Sequence, residues 1–113
     1  MSRAITSVNQ FEKILRDARG QQIPVLIKVF RPSCPACKAV HTEYENLART
    51  FSKNGRFLNI NCDQLPEITS SVFDVESIPT FIILDDQGRQ VFTSTGSDLK
   101  TLVSKMKNVF GHG

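Results

Sequence analysis

Tryptophan is absent from this 113-residue chain, tyrosine occurs once and cysteine three times. Three cysteines are too few, and odd in number, for the even disulfide framework of a small secreted scaffold. Long hydrophobic runs are missing too. The longest, Phe81-Ile82-Ile83-Leu84, has the length of a strand, far short of the roughly 18 residues of a membrane-spanning helix, so no membrane partner is expected. The net charge is small: fourteen Lys and Arg against eleven Asp and Glu leave +3. These charges are scattered rather than gathered into a block, and no nucleic-acid partner is expected. What remains is an ordinary globular composition, 40% hydrophobic and 22% charged. It is long enough to bury roughly two-thirds of the unfolded surface around one core, so a single domain over 1–113 is expected. Met1-Ser2-Arg3 leads towards a helical pattern without the apolar stretch of a signal peptide. With the odd cysteine count, this makes the reducing cytoplasm the expected location.

Periodicity organises the chain. Ser7 and Gln10 have capping-box spacing, and Val8, Phe11, Ile14, Leu15 and Ala18 share one helical face that ends at Gly20. Val25 to Phe30 is apolar on both faces apart from Lys28, as in a central strand. Ala36, Val40, Tyr44, Leu47 and Phe51 form the stripe of a second helix, which Asn54-Gly55 stops. Phe57 to Ile60 is the next strand; a strand–helix–strand series with short links implies parallel strands joined by a right-handed crossover. Leu65, Ile68, Val72 and Val75 predict a short third helix from about Pro66. Thr80–Leu84 and Gln90–Thr93 flank the turn residues Asp85-Asp86-Gln87-Gly88 and predict an antiparallel hairpin. Ser97 is expected to cap a last helix whose stripe runs from Leu99 to Phe110. The fold class is therefore α/β, a small mixed sheet flanked by helices on both faces.

The chemistry lies in Cys34-Pro35-Ala36-Cys37, which this order puts at the carboxyl end of a central strand, where open α/β sheets place their sites. Residues three apart at a helix start stand about 5–6 Å apart, within disulfide range. The partial positive charge and free N–H groups there favour a thiolate at the first cysteine. Cys34 is thus the expected nucleophile and Cys37 the resolving thiol, with Pro35 suited to the first helical position. Half a zinc site is the competing reading, with His41 and Cys62 as further ligands. A cysteine pair directly after a buried strand argues for redox chemistry instead, with no metal. His41 is then expected to be a solvated helix residue, Cys62 a small core residue, and Tyr44 and the phenylalanines core. Lys28 shares a strand face with Leu26 and Phe30, so it is expected to point into the protein beneath the dithiol. There it could exchange a proton or stabilise a thiolate, unless its ammonium snorkels to water.

Four features together resemble the thioredoxins over essentially the whole chain. They are the Val25–Phe30 strand feeding Cys34-Pro35-Ala36-Cys37-Lys38, the Asn59-Ile60 strand, Ser77-Ile78-Pro79-Thr80 before an apolar strand, and Gly96 ahead of the last helix. The resemblance implies a thioredoxin fold with cis-Pro79 facing the dithiol. It also implies that Ser33, Ile78, Pro79 and Gly96 contact substrate, and that no cofactor is needed beyond a redox-active Cys34–Cys37 disulfide. The implied activity is reduction of protein disulfides by a monomer that a thioredoxin-reductase-type donor recharges. Departures fall at the site itself. Ser33 replaces the usual Trp, Lys28 the usual buried Asp, Thr42 the usual helix-kinking Pro and, counting back without gaps from Ile78-Pro79, Ile60 the usual strand Lys. Cys-Pro-x-Cys is closer to the glutaredoxins, which implies a less reducing potential and makes a glutathione-linked reductase the nearest alternative. Against that alternative, no Gly-Gly turn follows Thr80–Leu84. A binding module whose dithiol is idle or holds metal is the third reading.

Overall fold

The computed structural model describes residues 2–111, so the two ends of the expected 1–113 domain lie outside the described residues. Five strands form one sheet in the order β1-β3-β2-β4-β5. They are β1 (Ser2–Ala4), β2 (Val25–Phe30), β3 (Arg56–Asn61), β4 (Thr80–Leu84) and β5 (Gln90–Thr95). Strand β3 runs parallel to β1 and β2, and β4 is antiparallel to β2 and β5. Three α-helices, α1 (Val8–Gly20), α2 (Pro35–Thr50) and α3 (Lys100–Phe110), cover the sheet.

Alternation along the strands divides the core in two. Val25, Ile27, Val29, Leu58, Ile60, Ile82 and Leu84 pack with Phe11 and Ala18 of α1 and with Ile68. Leu26, Phe57, Phe81 and Ile83 point the other way, against Val40, Tyr44 and Ala48 of α2 and Leu102, Met106 and Phe110 of α3. Burying both faces of the central strands explains their near-continuous apolar runs, and each large side chain so buried contributes about 1.5–3 kcal/mol. Lys28 interrupts the run on the α2 face, yet it is only 4% exposed.

Three expectations are corrected. The chain does not lead straight into a helix: Ser2, Arg3 and Ala4 pair with Phe57, Leu58 and Asn59 as a parallel edge strand. Helix α1 begins only at Val8, with Ser7 Oγ accepting the Gln10 N–H at 3.1 Å. The third helix is one π-helical stretch, Glu67–Val72, in which Ile68 is buried but Val72 is 59% exposed, because its wider repeat departs from the α-helical stripe. Ser97 does not cap α3. The helix starts at Lys100 without a side-chain cap, and Asp98 Oδ1 accepts the Lys100 N–H at 3.1 Å.

Candidate active site

Strand β2 ends at Phe30, and a turn closed by the Cys34 N–H donating to the Arg31 carbonyl at 3.1 Å delivers the chain to α2. Cys34 is the N-cap of that helix and Pro35 lies within its first turn, where a missing N–H costs nothing. A sulfur does the capping: Cys34 Sγ accepts the Cys37 backbone N–H at 3.1 Å. One turn on, Cys37 is buried while Cys34 is half-exposed, so only the first thiol meets an incoming disulfide. Hydrogen bonding from the Cys37 thiol holds the Cys34 thiol below the usual range. Burial opposes this, while the Cys37 and Ala36 N–H groups and the charge of Arg31 assist. Burial, and then the same bond to Cys34, push Cys37 up to about 11. The two sulfurs are thereby unlike, one ready to attack and one held protonated.

The other wall comes from the chain before β4. The Ile78–Pro79 peptide bond is cis. The Cys34 thiol lies 3.9 Å from the Ile78 carbonyl oxygen, and Gly96 donates its N–H to the Pro79 carbonyl at 3.0 Å. Ile78 thus lies against Cys34, with Pro79 next to it in the chain and Gly96 bonded to Pro79, and Ser33 is exposed on the adjoining turn. A matching family model for thioredoxin spans residues 2–108. The chain belongs to the thioredoxin family. It is 29% identical over 101 residues to Thioredoxin 1 of Synechococcus elongatus, covering 89% of each protein. It is 27% identical over 103 residues to Thioredoxin-1 of Drosophila melanogaster, covering 91% of this chain and 92% of that one. Among solved structures, a poplar thioredoxin h superposes with a TM-score of 0.88 at 25% identity, covering 97% of this chain and 96% of that one. Over 84 residues, 74% of its length, the chain is also 33% identical to Monothiol glutaredoxin-4 of Schizosaccharomyces pombe, but this match spans only 33% of that protein. With its dithiol in place, this thioredoxin-family chain is a thiol–disulfide oxidoreductase that reduces protein disulfides; the glutathione-linked and idle-dithiol readings are not favoured.

Beneath the dithiol the thioredoxin frame carries unusual residues. The Lys28 ammonium does not reach open solvent. Its Nζ lies 4.8 Å from the centre of the Tyr44 ring, 5.5 Å from that of Phe30, and 3.4 Å from His41 Nδ1. Burial holds Lys28 below the usual lysine range, while Glu45 and Cys37 pull the other way. His41 is an exposed residue of α2, as expected, and in addition its Nδ1 is turned towards Lys28. Asn59 stands opposite Lys28 in the sheet, and Ile60 packs into the core on the other face. Cys62 is unpaired and partly buried against that same core. Among the described residues, no three His, Cys, Asp or Glu side chains are placed to hold a metal ion.

Sequence reasoning overlooked Arg31, whose Nε donates to Asp63 Oδ1 at 2.8 Å and whose charge favours the Cys34 thiolate. It also overlooked the meeting of Lys28 with His41. The available signal was spacing, because His41 follows Cys37 by one helical turn on the same face.

Proposed function

We propose that Cys34 is the attacking thiolate and Cys37 the resolving thiol of a monomeric reductase of protein disulfides, recharged in the cytoplasm by a thioredoxin-reductase-type donor. The observation that carries the reading is the inequality of the two sulfurs, one half-exposed and held low, the other buried and held up to about 11. Cys34 attacks a substrate disulfide, and one substrate sulfur leaves as a thiolate. Cys37 then attacks Cys34 Sγ, forming the Cys34–Cys37 disulfide and releasing the second substrate thiolate. Two electrons pass to the substrate, and an external donor must return them. The redox centre is the dithiol itself, so the reaction asks for no further cofactor. Substrate is held as extended peptide along Ile78, Pro79 and Gly96, and Ser33 gives this edge a less apolar rim than an aromatic residue would. The small, odd number of cysteines, without the even framework of a secreted disulfide scaffold, supports a reducing compartment.

Insulin-disulfide reduction, run separately with thioredoxin reductase and with glutathione as donor, tests the reading. Turnover is expected with the reductase, C34S is expected to be inactive, and C37S is expected to accumulate a mixed disulfide. Turnover with glutathione alone would overturn the donor, and alkylation that labels Cys37 first would reverse the two roles.

A further inference from the structure

Between β2, β3 and α2 lies a cavity of about 290 Å³ lined by Lys28, Phe30, Arg31, Cys37, His41 and Asn59, among others. It brings the resolving thiol and the buried lysine to one space. Cys37 keeps its proton well above neutral pH, and only its thiolate can attack the mixed disulfide. Resolution therefore needs an acceptor for that proton inside the protein. Glu45 is a carboxylate whose charge acts on Lys28, but its Oε2 already accepts the Ser2 hydroxyl.

Lys28 and His41 offer another route. At 3.4 Å, a hydrogen bond between Lys28 Nζ and His41 Nδ1 needs one nitrogen to hold the shared hydrogen and the other to lack it. Either the lysine nitrogen, as ammonium or as neutral amine, donates to a bare Nδ1, or an imidazole Nδ1–H donates to the neutral amine. The inner nitrogen is buried and the imidazole belongs to an exposed residue. Histidine is the side chain suited to take up and release protons near neutral pH. Asn59, opposite Lys28 in the sheet, has a buried Oδ1 that accepts no hydrogen bond from the described residues, which leaves an acceptor free at the inner end of the cavity.

We propose that Lys28 and His41 together carry the proton of the resolving thiol, Lys28 as the inner station and His41 as the outlet to solvent. The proposal rests on the thiol–disulfide reading above. In the step, the neutral amine of Lys28 takes the Cys37 proton across the cavity. The Cys37 thiolate attacks Cys34 Sγ, the Cys34–Cys37 bond forms, and the substrate sulfur leaves with the electron pair of the broken bond. Lys28 then gives its proton to His41 Nδ1, and His41 releases one from Nε2 to water. The groups facing Lys28 set the balance. Burial favours the neutral amine; Glu45 and the Cys37 thiolate favour the ammonium; Arg31 and Lys38, which also line the cavity, oppose a second positive charge there. Tyr44 presents its ring, Asn59 is uncharged, and β4 brings only Phe81 opposite Lys28.

The test follows the two thionitrobenzoate ions released from their symmetrical disulfide by the reduced chain, on a C62S background. The first release reports attack by Cys34 and the second reports resolution by Cys37. K28M is expected to leave the first phase unchanged and slow the second at least about tenfold at neutral pH, within the reach of a positioned base. Its second phase should climb tenfold per pH unit, whereas that of the parent should level off once Lys28 is neutral. K28R keeps the charge but cannot release a proton, so it should be as slow as K28M. H41Q, a change at an exposed position, keeps an acceptor for Lys28 but cannot carry a proton onward, and should slow the second phase several-fold below the pH at which Lys28 is neutral, where the ammonium must first pass its own proton outward. Parent-like resolution in K28M, K28R or H41Q would overturn the proposal. Loss of the first phase in the parent itself would instead overturn the thiol–disulfide reading.

Discussion

Two sulfurs one turn apart acquire opposite characters because one caps the helix and the other lies under it. The foremost support of the Cys34 thiolate is the hydrogen bond from the Cys37 thiol, so the donor at position 37 should decide where Cys34 ionises. On a C62S background, ultraviolet thiolate absorbance is expected to rise in two steps, the first below the ordinary thiol range and the second at about 11. C37S keeps a hydroxyl donor and should leave the first step nearly in place, whereas C37A should move it upwards. Equal steps in these two variants would show that the backbone N–H groups alone sustain the thiolate. Lys28 obeys the opposite sign. Its folded-state pKa is lowered by burial, so it binds its proton less readily folded than unfolded. Its cost to stability is full below the lowered pKa and shrinks as pH rises, vanishing above the unfolded value of about 10.4. K28M, similar in length and uncharged, is therefore expected to raise the melting temperature at neutral pH, by an amount that fades in alkaline buffer. A melting temperature lowered at neutral pH would mean that the Tyr44, Phe30 and His41 contacts outweigh desolvation.

Elements meet at a few tight places, and the junction of the α2–β3 turn with the end of α3 is one. Gly55 lies against the Phe110 ring, which a Cβ at that position would overlap. Phe110 is itself fixed edge-on to Phe57 at 5.4 Å, and its carbonyl accepts the Asn54 side-chain N–H at 3.2 Å. G55A is expected to cost about 1–3 kcal/mol in denaturant unfolding, as overpacked cores do, and distinctly less on an F110L background. Equal costs on both backgrounds would locate the effect in the turn backbone instead. Elements with long periodic patterns were legible: α1, β2, α2, the hairpin and α3 lie where apolar spacing put them, and the dithiol falls at the α2 start. Strand β1 was not legible, because Ser2-Arg3-Ala4 has no apolar alternation and is held by pairing with β3. The π-helical stretch was missed because a sixteen-atom ring has no signature in a three- and four-residue repeat. The Lys28–His41 contact escaped because spacing puts His41 on the Cys37 face of α2 but does not tell how that face packs across the sheet, a long-range matter.

At the scale of the molecule, the sheet holds two cores apart and leaves the redox chemistry to one end, so oxidation state and global stability are linked. A typical thioredoxin has a potential near −270 mV and glutaredoxins lie at about −200 to −230 mV. Cys-Pro-x-Cys and a stabilised Cys34 thiolate argue for a value above the former. Each 30 mV of that rise takes about 1.4 kcal/mol from the stability advantage of the oxidised form, given the same unfolded reference. Unfolding of oxidised and reduced protein should thus differ by less than in a typical thioredoxin. A difference as large, together with a potential at or below −270 mV, would refute it. The buried ring beneath Lys28 carries one more consequence. Tyr44 is the single tyrosine of a chain without tryptophan, fully buried with its hydroxyl 2.7 Å from the Leu58 carbonyl oxygen. Its emission is therefore not drained by energy transfer to an indole, and a charge placed or removed 4.8 Å from the ring centre changes the electric field across the chromophore. Unlabelled protein thus carries its own optical gauge of the Lys28 charge, readable in a cuvette at every pH and in every redox state.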